Sequence, residues 1–384
     1  MINISEKREC CGCSACVQIC PKTCIQMQED TEGFLYPEAD SRICIDCNLC
    51  EKVCPVKHAS QTGDSVLQTY IGYNRNITQR LASSSGGIFT LLAEQILKQE
   101  GKVYGAAFDQ NFMVHHIGIE TLTELEFLQG SKYLQSRMEQ SYSQVKHDLQ
   151  AGKTVLFSGT ACQIVGLKEF LQKEYNNLLT VDVLCHGVPS PAVWRKYLTQ
   201  QEHIYHSSIR NIWFRKKNQG WKRYEVELLF DNGEIYHQTF SEDAFMQFFL
   251  KNICLRPSCH DCRFKSLERA SDMTLGDSWG VENYMPDLDD NQGTSVILIH
   301  TDAGQKLFNI IASQMQYQEA ETDRALPPDA DSRKSVSAHP KRTVFFQKLL
   351  EIEDIYSLLP LIKLPFHRKV FRRLKKYYQN LFKK

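Results

Sequence analysis

The 384-residue chain has no excess of either charge and no long apolar run. Lysine plus arginine and aspartate plus glutamate both number 45, so the overall charge does not favour nucleic acid as a partner. No stretch approaches the roughly 18 apolar residues of a membrane helix, and the first residues lack the apolar core of a signal peptide. Hydrophobic residues make up 42% of the chain, enough for packed domains. We therefore expect a cytoplasmic protein of several modules.

Two common nucleotide-binding fingerprints are also absent. The chain contains no G-x-G-x-x-G. Gly152-Lys153-Thr154 has the form of a P-loop end, but His147 stands where the first glycine belongs, and the apolar strand follows the motif instead of preceding it. The sequence therefore offers neither a Rossmann dinucleotide fingerprint nor a Walker A phosphate loop.

Cysteine carries the clearest pattern, since ten of the 15 cysteines lie before residue 55. They spell C-x2-C-x2-C-x3-C-P twice, which is typical of a two-cluster bacterial ferredoxin, in which the fourth cysteine of each run ligates the other cluster. The predicted ligands are Cys10, Cys13, Cys16 and Cys54 for one 4Fe-4S cluster and Cys44, Cys47, Cys50 and Cys20 for the other. Closely spaced cysteines also bind zinc, but zinc does not require a doubled run ending in proline. Cys11 and Cys24 remain outside the pattern and are interpreted as small buried hydrophobic residues.

The rest of the chain alternates between strand and helix patterns. Residues 58–64 indicate a linker. Apolar runs predict strands over 67–73, 102–108, 154–157, 178–184 and 294–300, a helix from Ile88 capped by Ser83 to Ser85, a hairpin over 224–240 and an exposed loop over 319–331. The alternation indicates an α/β domain with a partly parallel sheet and an α+β C-terminal part, fused to a ferredoxin-like domain. The predicted domains are 1–60, 66–180, 181–335 and a basic helical tail over 340–384.

The last 22 residues form a basic amphipathic pattern. Residues 363–384 contain nine lysines or arginines and no acidic residue, and their apolar residues recur at helical spacing. The pattern fits a helix that packs its apolar stripe on the body of the protein, a peripheral contact with a membrane surface, or docking to an acidic partner.

Seven motifs carry a resemblance to a known family. They are SSSGGIFTLL (83–92), GSKYLQS (130–136), FSGTACQIVGL (157–167), LCHGVPSP (184–191), FRKKNQGWK (214–222), CLRPSCHDCRF (254–264) and SDMTLGDSWG (271–280). Together and in this order they resemble the coenzyme F-420 hydrogenase/dehydrogenase beta-subunit family, in its bacterial branch with an N-terminal two-cluster ferredoxin domain. The resemblance covers roughly residues 1–300.

This resemblance implies a flavoprotein in which FAD exchanges electrons with iron–sulfur clusters and with a two-electron substrate, a deazaflavin in archaeal members. A helix N-terminus suits the FAD pyrophosphate, and a cation beside an aromatic ring suits the isoalloxazine. The implied FAD contacts are Ser84, Ser85, Gly86, Gly87, Lys132 and Tyr133. From the residues alone, a plain serine cap and a surface lysine beside a core tyrosine remain alternatives.

A third 4Fe-4S cluster is predicted from the later cysteines. Cys259-x2-Cys262 has chelating spacing, and the resemblance adds Cys162 and Cys185 as the other two ligands. Cys254 is the alternative ligand. The family usually has proline where this chain has alanine at 161, which frees the backbone of that turn while leaving the Cys162 thiol available.

Two further features suggest chemistry. His186 follows a strand-end cysteine in a Gly-Pro loop, where active-site residues often stand, and with Lys132 it is the candidate catalytic residue; a structural histidine is the alternative. A basic–aromatic cluster suits an anionic substrate, a phosphate or an acidic redox partner, or is a solvated hairpin edge. Its members are Arg215, Lys216, Lys217, Lys222, Trp213 and Trp221.

The sequence therefore predicts an iron–sulfur flavoprotein oxidoreductase that passes electrons between 4Fe-4S clusters, FAD and an unidentified two-electron substrate. Its redox partner is a ferredoxin or another oxidoreductase, and the bacterial branch suggests a link to polysaccharide synthesis. The alternative is a non-catalytic electron-transfer subunit that docks to a partner enzyme. A zinc-loaded structural adaptor is a third hypothesis.

Overall fold

The computed structural model describes residues 1–57 and 65–363. The N-terminal module repeats one backbone pattern, as its doubled cysteine run predicts. Each run continues into a one-turn helix whose preceding residue is left-handed, with φ 61° at Ser14 and 58° at Asn48. The elements are α1 (Ala15–Gln18), α2 (Leu49–Lys52) and an antiparallel hairpin of β1 (Ile25–Glu29) and β2 (Leu35–Ala39).

The remainder of the described chain forms a body of two sheets with surrounding helices. Its strands are β3 (Gln68–Asn74), β4 (Lys102–Phe108), β5 (Val114–Ile119), β6 (Val155–Thr160), β7 (Leu178–Val183), β8 (Ile209–Lys216), β9 (Glu225–Phe230), β10 (Ile235–Thr239), β11 (Met273–Asp277), β12 (Ser295–Ile299) and β13 (Met315–Glu319). Its helices are α3 (Ile77–Ala82), α4 (Ile88–Lys98), α5 (Leu125–Leu128), α6 (Ser141–Gln150), α7 (Ala161–Leu171), α8 (Pro191–Tyr205), α9 (Ala244–Leu250), α10 (Asp302–Ile311), α11 (Thr322–Ala325), α12 (Arg342–Glu351) and α13 (Leu359–Ile362). Within the described part of the chain, no helix has the length and apolar character needed to cross a membrane.

An eight-stranded mixed sheet forms the centre of the body, in the order β13-β3-β12-β11-β7-β6-β4-β5. The pairs β4/β6, β6/β7 and β7/β11 are parallel, and β3 runs in the same direction because it is antiparallel to β12, which is antiparallel to β11. The carboxyl ends of these five strands therefore lie along one edge of the sheet. In open α/β sheets, ligands bind outside this edge.

The fold class predicted from the sequence is confirmed: a ferredoxin-like module precedes an α/β body, and an antiparallel sheet of β8, β9 and β10 adds the α+β part. The boundary predicted between 180 and 181 falls inside β7, so the two predicted parts share one sheet. The loop predicted over 319–331 contains α11 and buries Ala325 and Leu326. The N-cap of α4 is Gly87 at φ 80°, and no serine side chain caps it. The linker at 58–64 and residues 364–384 of the tail lie outside the described residues.

The N-terminal module packs closely on the body. Gly33, in the β1–β2 turn, lies so near the start of α8 that a Cβ on it would be 2.4 Å from the backbone nitrogen of Ala192. On the other side of the module, a Cβ on Gly166 of α7 would be 3.0 Å from the Cys13 sulfur. The absence of a side chain at both contacts lets the module approach the body, so its two cysteine runs are held in fixed positions.

We expect Gly33→Ala to destabilise the protein more than Gly233→Ala. Both glycines have φ +86°, but nothing lies within 4 Å of a Cβ on Gly233. The left-handed backbone alone costs about 1 kcal/mol for alanine, whereas the added clash with α8 raises the loss to about 3 kcal/mol or more. Urea unfolding of the anaerobically purified protein measures both. Equal losses would mean that the module does not pack on α8.

Candidate redox site

The eight cysteines of the doubled run line two separate cavities in the N-terminal module. The grouping follows the crossed pattern predicted from the sequence, because the last cysteine of each run lies with the first three of the other. The proximal cavity is lined by Cys10, Cys13, Cys16 and Cys54, and the distal cavity by Cys20, Cys44, Cys47 and Cys50. Each cavity thus has the four thiols that a 4Fe-4S cluster requires.

Backbone donors already point at sulfur atoms of the distal cavity. The N–H of Ile2 lies 3.2 Å from the Cys50 sulfur, and the N–H of Asp46 lies 3.4 Å from that of Cys44. Hydrogen bonds to cysteine sulfur are one of the ways in which proteins set the potential of an iron–sulfur cluster. The residues present therefore fit two bound clusters.

The two cavities differ in exposure. Cys10, Cys13 and Cys16 of the proximal cavity are buried, whereas Cys47 of the distal cavity is exposed. The loop that carries Cys47 also exposes Ile43 by 51% and Ile45 by 55%. The distal cavity is thus the one whose cysteine loop lies at the surface.

Four more cysteines meet in a third cavity, the body cavity, on the carboxyl edge of the large sheet. Cys162 lies in the first turn of α7, directly after β6, and Cys185 follows the neighbouring parallel strand β7. An isolated β-bridge pairs Pro189 with Leu255, which brings the segment after Leu255 beside the segment that follows β7. Cys259 and Cys262 in that segment line the same cavity. Adjacent strand ends and one returning loop therefore bring together cysteines that are far apart in the sequence.

Of the remaining cysteines, only Cys254 is clearly separate from these cavities. It is fully buried in the aromatic core and does not line the body cavity, so the structure does not support it as the alternative ligand. Cys24 lines the distal cavity, with its sulfur 3.4 Å from that of Cys20. Cys11 lines both the proximal and the body cavity and interacts with Cys13 and Cys162. The cysteine spacing in the sequence does not predict that Cys11 lies between two cavities, because its place there depends on how the N-terminal module packs on α7.

Buried cations surround the body cavity. Arg269 and Lys265 line it, and the Lys265 ammonium donates to the His186 carbonyl. The fully buried Arg256 donates to the carbonyls of Cys10 and Leu35, and its guanidinium forms no ion pair with a carboxylate of the described residues.

The thiols of this cavity would be neutral without a metal. Burial raises the pKa of the Cys185 thiol to about 12. Bound to iron as thiolates, the four cysteines would supply the ligand set that a 4Fe-4S cluster requires. The residues present therefore fit a third cluster.

The residues predicted to hold FAD lie at the same edge of the sheet. The Ser84 hydroxyl accepts hydrogen bonds from the Ser131 N–H at 2.6 Å and from its hydroxyl at 2.8 Å, which joins the serine–glycine loop to the segment of Lys132 and Tyr133. The Ser85 hydroxyl lies 3.0 Å from that of Ser295, at the start of β12. A Cβ on Gly86 would lie 2.7 Å from the oxygen of a β3 carbonyl. Close packing therefore explains the glycine at this position without any ligand.

Lys132 and His186, the predicted catalytic residues, are both partly buried. The Lys132 ammonium donates to the carbonyl of Gln129, and burial lowers its pKa to about 7. The His186 ring bonds the Asn252 side chain at 2.7 Å, packs against Phe249 and lines the body cavity. Phe249 also contacts Tyr133, so one aromatic side chain connects the body cavity with the predicted flavin residues.

Two family models match parts of the chain. Residues 152–324 match the family model for the C terminus of the coenzyme F420 hydrogenase/dehydrogenase beta subunit, and residues 9–58 match the model for a 4Fe-4S dicluster domain. The chain is thus an iron–sulfur electron-transfer protein. Residues 152–324 are similar to the coenzyme F420 hydrogenase/dehydrogenase beta-subunit family, whose members are oxidoreductase subunits, and residues 9–58 form a 4Fe-4S dicluster domain.

One solved structure is similar over most of the chain. It is a chain of the F420-reducing [NiFe] hydrogenase complex from Methanosarcina barkeri, 14% identical, with a TM-score of 0.47, and the match covers 76% of this chain and 90% of that one. Among curated proteins, no significant match was found.

The body cavity predicts different effects for two nearby cysteines. Replacing Cys259 by serine removes a cavity thiol, so we expect the iron content of anaerobically purified protein to fall by about four atoms per chain. Cys254→Ser is the matched control, since it makes the same change at a cysteine that does not line the cavity and should leave the iron unchanged. Equal iron content in both variants and the parent would contradict a cluster in the body cavity.

Proposed function

We propose that this chain is an iron–sulfur flavoprotein oxidoreductase with three 4Fe-4S clusters and one FAD. The observation that carries the proposal is that Cys11 and Val56 line both the proximal and the body cavity, so the two cavities adjoin. A 4Fe-4S cluster moves single electrons, whereas a flavin also exchanges electron pairs with a substrate. The proposed ligands are the eight cysteines of the doubled run together with Cys162, Cys185, Cys259 and Cys262.

The positions of the three cavities suggest a path for electrons through the protein. The distal cavity lies beneath the exposed Cys47 loop, the proximal cavity is buried, and the body cavity lies against the large sheet. Cys16 of the proximal cavity interacts electrostatically with Cys50 of the distal one, so these two cavities are also neighbours. The series of thiol-lined cavities therefore begins at the surface and ends beside the predicted flavin residues.

Several contacts support FAD at the far end of this series. The Ser84–Ser131 contact brings the serine–glycine loop and Lys132 together. Since no side chain caps α4 at Gly87, its first N–H groups remain suited to a phosphate. The contacting rings of Tyr133 and Phe249 lie between the predicted flavin residues and His186 of the body cavity. In this proposal Lys132 and Tyr133 contact the isoalloxazine, and His186 lies between flavin and cluster.

The second candidate function is that of a subunit that passes electrons to a separate enzyme without reducing a small molecule itself. The family description as a beta subunit and the exposed apolar loop at Ile43 and Ile45 favour it. A ferredoxin or another oxidoreductase would be the redox partner, and a link to polysaccharide synthesis belongs to the same proposal.

Metal and flavin analysis tests the proposal directly. Protein purified without oxygen should contain about twelve irons, equal acid-labile sulfide and one FAD per chain. Reduction by dithionite should bleach both the cluster and the flavin absorbance. About eight irons without flavin would contradict the proposal and leave only the dicluster domain with a body of other purpose. Turnover with a deazaflavin or an artificial two-electron acceptor favours the enzyme, whereas activity seen only with a partner enzyme favours the electron-transfer subunit.

Electron supply should depend on the loop beside the distal cavity. We expect Ile45→Glu to lower kcat/KM for reduction by a bacterial two-cluster ferredoxin by about tenfold, which corresponds to about 1.4 kcal/mol of lost contact. Ile235→Glu is the control, because Ile235 is 52% exposed, close to the 55% of Ile45, but lies on β10. Dithionite should reduce both variants at the parent's rate. Equal loss in the two variants would mean that ferredoxin does not use this loop.

A further inference from the structure

The basic–aromatic cluster contains one cation whose hydrogen bonds are incomplete. Lys216 pairs with Glu227 at 3.4 Å. Lys217 donates to three backbone carbonyls, and Lys222 forms ion pairs with Asp289 and Glu282. These three lysines are thus satisfied within the protein. Arg215 is the exception.

Arg215 uses only one of its three nitrogens. Its Nη1 donates to Asp277 Oδ2 at 2.5 Å and approaches the Tyr133 hydroxyl at 3.4 Å. Its Nε and Nη2 are buried and have no hydrogen-bond partner among the described residues, and the side chain is only 3% exposed. A buried donor without a partner costs about 1–3 kcal/mol, more for a charged group, so native proteins rarely leave two on one side chain.

The surroundings restrict what can complete these bonds. The Asp277 carboxylate cannot rotate toward Nε and Nη2 of Arg215 without losing a hydrogen bond, because its second oxygen accepts the Trp221 indole N–H at 3.1 Å. The guanidinium lies over the rings of Tyr224, at 4.4 Å, and Trp279, at 5.2 Å. A ligand can therefore reach Arg215 only at the edge formed by Nε and Nη2. That edge is the one that binds the two oxygens of a carboxylate or phosphate side by side.

Trp279 is the side chain around Arg215 that lies nearest to solvent. It is 49% exposed, although its ring stacks on the fully buried Trp221 at 4.4 Å with an interplanar angle of 3°. Gly280, at φ 83°, follows it directly. Because Trp279 is the exposed one of the two rings over Arg215, a change of its rotamer would expose one face of the guanidinium while Tyr224 stays packed.

We propose that Arg215 binds an oxyanion, a carboxylate or phosphate, through Nε and Nη2 beneath Trp279. The local charge allows it, because Asp277 balances Arg215 and Asp290 balances Arg80, so no carboxylate of the described residues is left unpaired beside the guanidinium edge. Lys217 also donates to the Ser85 carbonyl, so the oxyanion site adjoins the proposed flavin loop. The identity of the ligand rests on the proposed function: the oxyanion belongs either to FAD or to the two-electron substrate.

The test compares Arg215→Lys with the parent and with Lys222→Gln, a control from the same cluster whose lysine pairs with Asp289 and Glu282. Lysine keeps the charge but lacks the two-nitrogen edge. Two probes are used on each anaerobically purified protein: the bound FAD per chain, and the quenching of tryptophan fluorescence by inorganic phosphate at constant ionic strength. Iron content and circular dichroism establish that each variant is folded.

The possible results distinguish FAD from the two-electron substrate as the source of the oxyanion. If Arg215→Lys loses FAD and weakens FAD rebinding at least tenfold, the oxyanion is the FAD phosphate. If FAD is retained but phosphate quenching weakens at least tenfold, the oxyanion belongs to the substrate. If phosphate affinity and FAD content match those of the parent, or if the parent binds neither probe, the oxyanion site is overturned. Because phosphate binding requires no flavin, a parent that lacks FAD but binds phosphate through Arg215 would contradict the flavoprotein proposal alone.

Discussion

One fully buried guanidinium, that of Arg256, lies between the N-terminal module and the body and bonds both. Arg256 donates to the carbonyls of Cys10 and Leu35 in the module and to the Gln135 side chain in the body, and it lies 4.3 Å from the centre of the Tyr36 ring. These partners are all neutral, and a buried cation without a counter-charge is costly. The adjoining cavities hold the thiols that become negative when they bind metal. The same residue therefore joins the two parts of the chain, and under the proposed function the thiolates of bound clusters would balance its charge and couple cluster loading to assembly.

The location of the candidate site follows from the direction of the strands. Five strands of the large sheet run the same way, and the segments that follow their carboxyl ends contain Cys162, Cys185 and the serine–glycine loop between α3 and α4. Backbone groups at strand ends are free of the ladder, so side chains there can serve a ligand without breaking the sheet. The body cavity occupies the ends of β6 and β7, and the proposed flavin and oxyanion sites occupy the ends of β3 and β11. Under the proposed function, the flavin, oxyanion and cluster sites therefore lie along one edge of one sheet.

Local pattern sufficed to predict part of this arrangement. The doubled cysteine run predicted the crossed grouping because ligand spacing within a short module is a local property. Apolar runs located β4 and β7 to within a residue, since buried parallel strands are nearly continuous in hydrophobicity. The role of Cys11 was not predictable, because it depends on α7 approaching Cys13 where Gly166 has no side chain. The edge strand β13 was missed for a related reason: its sequence, MQYQE, is mostly polar, and only pairing with β3 makes it a strand.

The same distinction applies to the basic residues, which form one cluster in the sequence but have different partners in the structure. Charge alone cannot tell a lysine that pairs with Glu227 or Asp289 from an arginine that holds a ligand, because both are basic residues near aromatic rings. What distinguishes Arg215 is the number of its donors: five N–H groups in a rigid plane exceed what Asp277 can accept, whereas an ammonium can turn toward nearby carbonyls. A buried arginine beside one carboxylate therefore retains binding capacity that a buried lysine does not. In this protein that capacity lies at the sheet edge where the thiol-lined cavities end.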